Sequence, residues 1–279
     1  MLRISQNAID ELLAADWPLG DPTTEGLGIS REKGRVTAFY KKGGIAAGTE
    51  IARRLFETAG ADVTLFAKEG ERLAAGAPIL TAEGCAESLH AAYKVAQCVM
   101  EYAGGIAERT HQMLEAARRG REGVQVAGTR KHFPGGKLVS LSGFLAGGGI
   151  LHRGSLSDSI LVFDQHRCFA DNVDAAIGAL IAAEPERKVA VEVDSAEEAL
   201  HYARLGVHVI QCERFTPQAL RELTEALWAA DLRVVVNAAG GVNAENAEEY
   251  ARAGAHVLVT SWPYFGRPAD VKMKFERLN

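Results

Sequence analysis

Little in this sequence points to cross-links, membranes or nucleic acid. The four cysteines, Cys85, Cys98, Cys168 and Cys212, are scattered and form no CxxC pair. A zinc site or disulfide framework therefore has little support, and a reducing cytoplasm is the expected compartment. An excess of positive charge is also missing. Lys and Arg number 31 against 36 Asp and Glu, for a formal net charge of -5, so no nucleic-acid partner is expected. Long apolar runs are absent as well. The opening Met-Leu-Arg-Ile-Ser-Gln-Asn, with Asp10 and Glu11 close behind, lacks the apolar core of a signal peptide. The most apolar later stretch, residues 138–151, holds four glycines and two serines and is too short for a bilayer. A soluble chain with no membrane partner is expected.

What is present suits a globular protein with a real core. The 279 residues are 47% hydrophobic and 24% charged, and the length fits two unequal domains. The first third reads as mixed α/β. Helical spacing covers residues 9–15 and 50–58, and strand-like runs cover 36–40, 63–66 and 78–81. The pattern of residues 86–118 predicts a long helix with a break at Gly104-Gly105, linking two domains.

From Val124 onward the text changes. Short apolar runs at 124–127, 160–163, 189–193, 207–212, 234–237 and 257–259 alternate with amphipathic stretches such as 196–205, 217–230 and 244–253. Continuous apolar runs separated by helices mean a buried parallel sheet. Six such units favour a barrel, while the residues left fall short of the roughly 250 of an eight-unit one. The expectation is an incomplete α/β barrel of six to seven strands. A doubly wound open sheet is the alternative, and no GxGxxG follows the first strand to support it.

The apolar runs end in polar or glycine-rich clusters: Thr129-Arg130-Lys131, Asp164-Gln165-His166, Glu192-Val193-Asp194, Glu213-Arg214, Gly240-Gly241 and Thr260-Ser261. In a barrel these gather on the face where active sites are built. Arg130, Lys131, His152 and Arg153 are four potential cations at strand ends. They adjoin Phe133-Pro134-Gly135 and Gly147-Gly148-Gly149 rather than acidic helix neighbours, a setting for an anionic ligand. Glu192 and Glu213 could act through a bound Mg²⁺ bridging to phosphate, steady positive charge on a sugar carbon, or pair with the arginines. Gly240-Gly241-Val242-Asn243 lies between a strand and a helix, and with Ser261 at the next strand end it suits a phosphate.

Taken in order, these residues resemble the nicotinate-nucleotide pyrophosphorylase (quinolinate phosphoribosyltransferase) family, most closely its ModD branch. Gly20-Asp21-Pro22-Thr23-Thr24 looks like the family's GDxTT stretch and Gly104-Gly105-Ile106-Ala107 its SGIA motif. Thr129-Arg130-Lys131 with Pro134-Gly135 resembles TRKTxPG, and Gly147-Gly148-Gly149 with His152-Arg153 resembles GGGxxHR. Val191-Glu192-Val193-Asp194 resembles VEVE, and Ala239-Gly240-Gly241-Val242 resembles SGGI.

The resemblance implies an N-terminal α/β sandwich over residues 1–108, with the linking helix, and a C-terminal α/β barrel over 109–279. It implies a phosphoribosyltransferase using phosphoribosyl pyrophosphate, Mg²⁺ and an anionic aromatic base, working as a homodimer or higher homo-oligomer. Lys131, Glu192 and Glu213 would be catalytic, the two glutamates also serving the metal. Lys94, Thr129, Arg130, His132, His152, Arg153, Phe163, Gly240, Gly241 and Ser261 would bind substrates. Three departures from the family pattern bear on the base. Lys94 stands where the family has a partner-subunit arginine, His132 replaces the threonine of TRKT, and Phe163 replaces the lysine of IKDNH. They remove a cation and add an aromatic face, so the base would be flat and less acidic than quinolinate, or acidic at another position. Two other readings stay open. One is a barrel lyase with Lys131 as a Schiff-base lysine. The other is a non-catalytic binding module for an oxyanion or nucleotide, an accessory linked to molybdenum transport.

Overall fold

The computed structural model describes residues 2–279. In chain order the first half contains α1 (Gln6–Asp16), α2 (Pro22–Gly26), β1 (Lys33–Tyr40), β2 (Gly44–Ile45), α3 (Thr49–Thr58), β3 (Asp62–Leu65), β4 (Arg72–Leu73), β5 (Pro78–Cys85) and α4 (Ala86–Gly120). Then follow β6 (Gln125–Gly128), α5 (Lys137–Ala146), β7 (Ile150–Leu151), β8 (Ile160–Val162), α6 (Asp164–Arg167), α7 (Val173–Ala183) and β9 (Val189–Val193). The remainder is α8 (Ala196–Leu205), β10 (Val209–Glu213), α9 (Pro217–Ala229), β11 (Val235–Ala239), α10 (Ala247–Arg252), β12 (Val257–Thr260) and β13 (Val271–Arg277). No helix among the described residues is long and apolar enough to cross a membrane.

The chain divides into two compact units. Among the described residues the first comprises 2–109 with 132–148 and 263–279, and the second comprises 110–131 and 149–262. The first unit is built on an antiparallel sheet of order β13-β1-β5-β3. Ile51, Leu55 and Phe56 of α3 are buried in its core together with Val36, Tyr40, Ile79 and Leu80. The terminal strand β13, paired with β1 along its whole length from Gly34↔Arg277 to Tyr40↔Val271, was not among the expected strands. Its Val-Lys-Met-Lys-Phe-Glu-Arg alternates, but with so few apolar residues that the pattern alone is weak.

The expected break in the long helix does not occur. α4 runs unbroken for 35 residues, and its glycine pair answers to packing instead. A Cβ on Gly104 would lie 2.5 Å from the Tyr40 hydroxyl, and one on Gly105 2.5 Å from the Arg267 carbonyl oxygen. Backbone crosses the helix there too closely for any side chain. Gly105→Ala should therefore destabilise the protein by about 2 kcal/mol or more. A urea midpoint equal to that of the wild type would show that the crossing is looser than this.

The second unit carries a seven-stranded parallel sheet of order β7-β6-β12-β11-β10-β9-β8. It adds the two-residue β7 to the six expected runs, and no ladder among the described residues joins β7 to β8. This is the incomplete α/β barrel. One outer-face repeat fixes its strand starts. In Gly206-Val207-His208 the His208 amide donates to the Val189 carbonyl at 3.0 Å, while its Nδ1 accepts from the Val189 amide at 3.0 Å. In Gly254-Ala255-His256 the same pair of bonds joins His256 to Val236, at 2.8 and 3.1 Å. Each imidazole stands in for a peptide group, so these histidines are structural. The helix expected over 244–253 begins later, at Ala247. Asn243 and Asn246 capture the intervening amides, Glu245 N donating to Asn243 Oδ1 at 2.8 Å and Asn243 N to Asn246 Oδ1 at 2.9 Å.

Candidate active site

Alternation along each strand sends one set of side chains outward to the helices and the other inward. The inward set is small and apolar at the amino ends: Ala127, Ala190, Val209, Val235 and Val257. It turns polar toward the carboxyl ends. Register places Glu192 of β9 beside Gln211 of β10, and Gln211 beside Asn237 of β11. Above this row the carboxyl ends of the strands enclose a cavity of about 410 Å³.

One wall is cationic. Thr129, Arg130 and Lys131 follow β6 and line the cavity. The Thr129 hydroxyl accepts from the Lys131 amide at 3.1 Å, which turns the chain so that exposed Arg130 and Lys131 stay at the rim. His152 and Arg153 follow β7, and Phe163 follows β8. Arg153 is only 7% exposed, yet no carboxylate or carbonyl among the described residues accepts from its guanidinium. That group lies 5.4 Å over the Phe163 ring. Burial, then the neighbouring Arg130, weaken its hold on its proton, and Asp158 opposes them. His152 differs from the expected cation. Burial, reinforced by Arg153 and opposed by Gln211, pushes its pKa down to about 4, so it is a neutral hydrogen-bonding ring at physiological pH.

The facing wall is anionic. Glu192 and Glu213 both line the cavity. Burial raises the Glu192 pKa, Gln211 pulls it down by donating to the carboxylate, and the like charge of Glu213 raises it again. Glu213 lies 3.5 Å from the exposed Arg214 guanidinium, a solvated pair worth little.

The third side is backbone. Gly240 and Gly241 have φ of +80° and +85°. A Cβ on Gly240 would lie 2.8 Å from Glu213 Oε1 and 2.6 Å from Arg214 Cγ. The loop is held by Thr260, whose hydroxyl donates to the Val242 carbonyl at 2.7 Å and accepts from the Trp262 amide at 3.0 Å. Ser261 sits between them on the cavity wall. No turn or loop hydrogen bond among the described residues uses the amides of Gly241, Val242 or Ser261, leaving a group of donors suited to an anion.

Two expected residues are not among those that line this cavity. Lys94 belongs to the first unit, where it bonds Gln97 at 3.0 Å and sits 5.1 Å over the Tyr93 ring. His132 belongs to that unit as well, its ring 6.4 Å from that of Tyr264. Residues not singled out in the sequence are Gln211 and Asn237. Their signal was there: Gln211 interrupts the apolar run 207–212, and Asn237 ends the run 234–237.

Family models place these features in context. Residues 21–103 match the quinolinate phosphoribosyl transferase N-terminal domain, and residues 106–274 match its C-terminal domain. The chain belongs to the quinolinate phosphoribosyltransferase family. Among family relatives, a Pasteurella multocida protein named "Putative pyrophosphorylase ModD" is 34% identical over 99% of both chains. A probable nicotinate-nucleotide pyrophosphorylase [carboxylating] of Methanothermobacter thermautotrophicus is 30% identical over 97% of this chain and 98% of its own. The family fold is matched by the crystal structure of NadC from Streptococcus pyogenes, with a TM-score of 0.89, 24% identity and 100% of each chain covered. Relatives named as nicotinate-nucleotide pyrophosphorylases support an enzyme of the pentosyltransferase kind for this family member.

Proposed function

We propose that the protein transfers phosphoribosyl from phosphoribosyl pyrophosphate to the ring nitrogen of an anionic aromatic base. The observation that carries this reading is a single cavity with an arginine 7% exposed, whose guanidinium lies over an aromatic ring without a hydrogen-bond acceptor, on one side, two carboxylates on another, and a loop of unused amides on a third. Each wall suits one part of such a reaction. Arg153 and Phe163 would hold an acidic ring by its carboxylate and its face. Thr129, His152 and Arg130 would complete that side. Gly240, Gly241 and Ser261 would hold the 5′-phosphate. As the ring nitrogen attacks the anomeric carbon, the carbon–oxygen bond to pyrophosphate breaks and its electron pair leaves on pyrophosphate. Glu192 and Glu213 would face the positive charge developing on the sugar, and Lys131 would neutralise the departing group.

Mg²⁺ fits this site. Two carboxylates share the cavity and repel each other, and their hard oxygen donors are of the type the ion prefers. Glu192 and Glu213 would hold it, and it would supply neutralisation of the pyrophosphate charge. In a homodimer, Lys94 of the partner subunit would add a further cation. The Schiff-base alternative loses ground because Lys131 is exposed at the rim rather than enclosed in an apolar pocket.

The test is pyrophosphate release with phosphoribosyl pyrophosphate, Mg²⁺ and a panel of pyridine and related aromatic carboxylates including quinolinate and nicotinate. Base-dependent release that Arg130→Ala lowers at least tenfold is the expected result. Binding of phosphoribosyl pyrophosphate without release for any base would instead favour a non-catalytic accessory role, as would be compatible with molybdenum transport. No binding at all would sink the reading.

A further inference from the structure

We infer that Gln211 is a positioning residue of this site, holding the Glu192 carboxylate toward the sugar through the bond between their side chains. The inference rests on the phosphoribosyl-transfer reading and concerns a cavity-lining residue to which that reading gives no contact with the reacting atoms.

Gln211 is 4% exposed at the centre of the sheet, on an inward face it shares with apolar Ala190, Val209 and Val235. A carboxamide there needs partners for every donor and acceptor it brings. It finds one good bond: Nε2 donates to Glu192 Oε2 at 2.6 Å. Its Oε1 has no partner within hydrogen-bond distance, although Gln211 also acts on the nearby His152 ring, and Oδ1 of Asn237, its register partner on the next strand, has none either. A methionine or leucine would fill the volume without stranding an acceptor, so stability does not explain the residue.

What Gln211 does accomplish is local. Among the described residues it is the one side-chain partner of the Glu192 carboxylate, which stands near the like charge of Glu213. The two residues are directly opposite on adjacent parallel strands, so rigid backbone sets their spacing. On the other side, Arg167 Nη2 donates to the Glu192 carbonyl at 3.3 Å. Backbone and carboxylate of Glu192 are thus each tethered, and the second tether is Gln211.

Gln211→Met keeps the length and bulk; it removes the stranded acceptor but also the one side-chain donor to the Glu192 carboxylate, so the two effects offset and the unfolding temperature should change little. In the base-dependent assay kcat should fall roughly 10–100-fold, with KM for the base within about twofold. Because Gln211 acts through Glu192, adding Gln211→Met to Glu192→Gln should cost less than about twofold more. A crystal structure of Gln211→Met should show the Glu192 carboxylate displaced. An undisplaced carboxylate, an unchanged kcat or multiplicative losses in the double variant would each overturn the assignment. If the wild type released no pyrophosphate with any base, the phosphoribosyl reading would fall, and the crystal structure alone would still decide whether Gln211 holds Glu192.

Discussion

Arg153→Met is expected to lose base-dependent pyrophosphate release while leaving the free protein as stable as the wild type, or more so. Arg153 is 7% exposed and has no hydrogen-bonding acceptor among the described residues. Both burial and Arg130 disfavour its charge, and Asp158 offsets them only in part. A buried, unpartnered charge destabilises a fold, and an apolar side chain of similar length relieves that while still packing on Phe163. A bound carboxylate or phosphate would reverse the balance, since the guanidinium fork then makes two charge-assisted bonds in a desolvated setting. Losing those should lower kcat/KM roughly 10²–10³-fold. Arg153→Lys should recover little, because an ammonium lacks the planar fork. Thermal unfolding of the unliganded protein and steady-state kinetics together check this. If melting temperature and activity fell in parallel, Arg153 would be a structural residue.

A second large effect is expected from acid. His152 has a folded pKa of about 4, depressed chiefly by burial, against about 6.5 in an unfolded chain. His256 is depressed in the same direction, by burial and then Arg121. A histidine with a depressed folded pKa leaves the unfolded state holding more protons at low pH. Its contribution is therefore complete above about pH 6.5 and is lost as pH falls toward 4. His152 alone should account for about 2 kcal/mol by pH 5. Urea unfolding at pH 7.5 and pH 5 should show that loss in the wild type and a smaller one in His152→Gln. Equal losses in the two proteins would mean that the imidazole is solvated and charged in the fold. The same neutrality leaves Arg130, Lys131 and Arg153 as the charged side chains of the cationic wall, which suits a base with fewer acidic groups than a four-cation site would take.

Much of this molecule was legible before any coordinates. Continuous apolar runs read as parallel strands because both faces of such a sheet are covered, and β6 and β8 to β12 fall on those runs. Thr129-Arg130-Lys131, His152-Arg153, Glu192, Glu213 and Gly240-Gly241 could be grouped because parallel strands present all their carboxyl ends on one side. Local chemistry settled those features, since period, strand direction and turn residues act over a few positions.

Tertiary structure decided the rest, for reasons no local pattern carries. Gly104-Gly105 read as a break, and it became a crossing point because Tyr40 and the Arg267 backbone, distant in sequence, press against the helix. β13 formed because β1 offered it an unpaired edge, not because its own residues demand a strand. His152 read as a cation, and it is neutral because burial and Arg153 act on it together. Gln211 was not singled out within its apolar run, and its place became meaningful only when register set it opposite Glu192. Burial, close approach and cross-strand pairing depend on how the whole chain packs, and that packing exists only in the folded state.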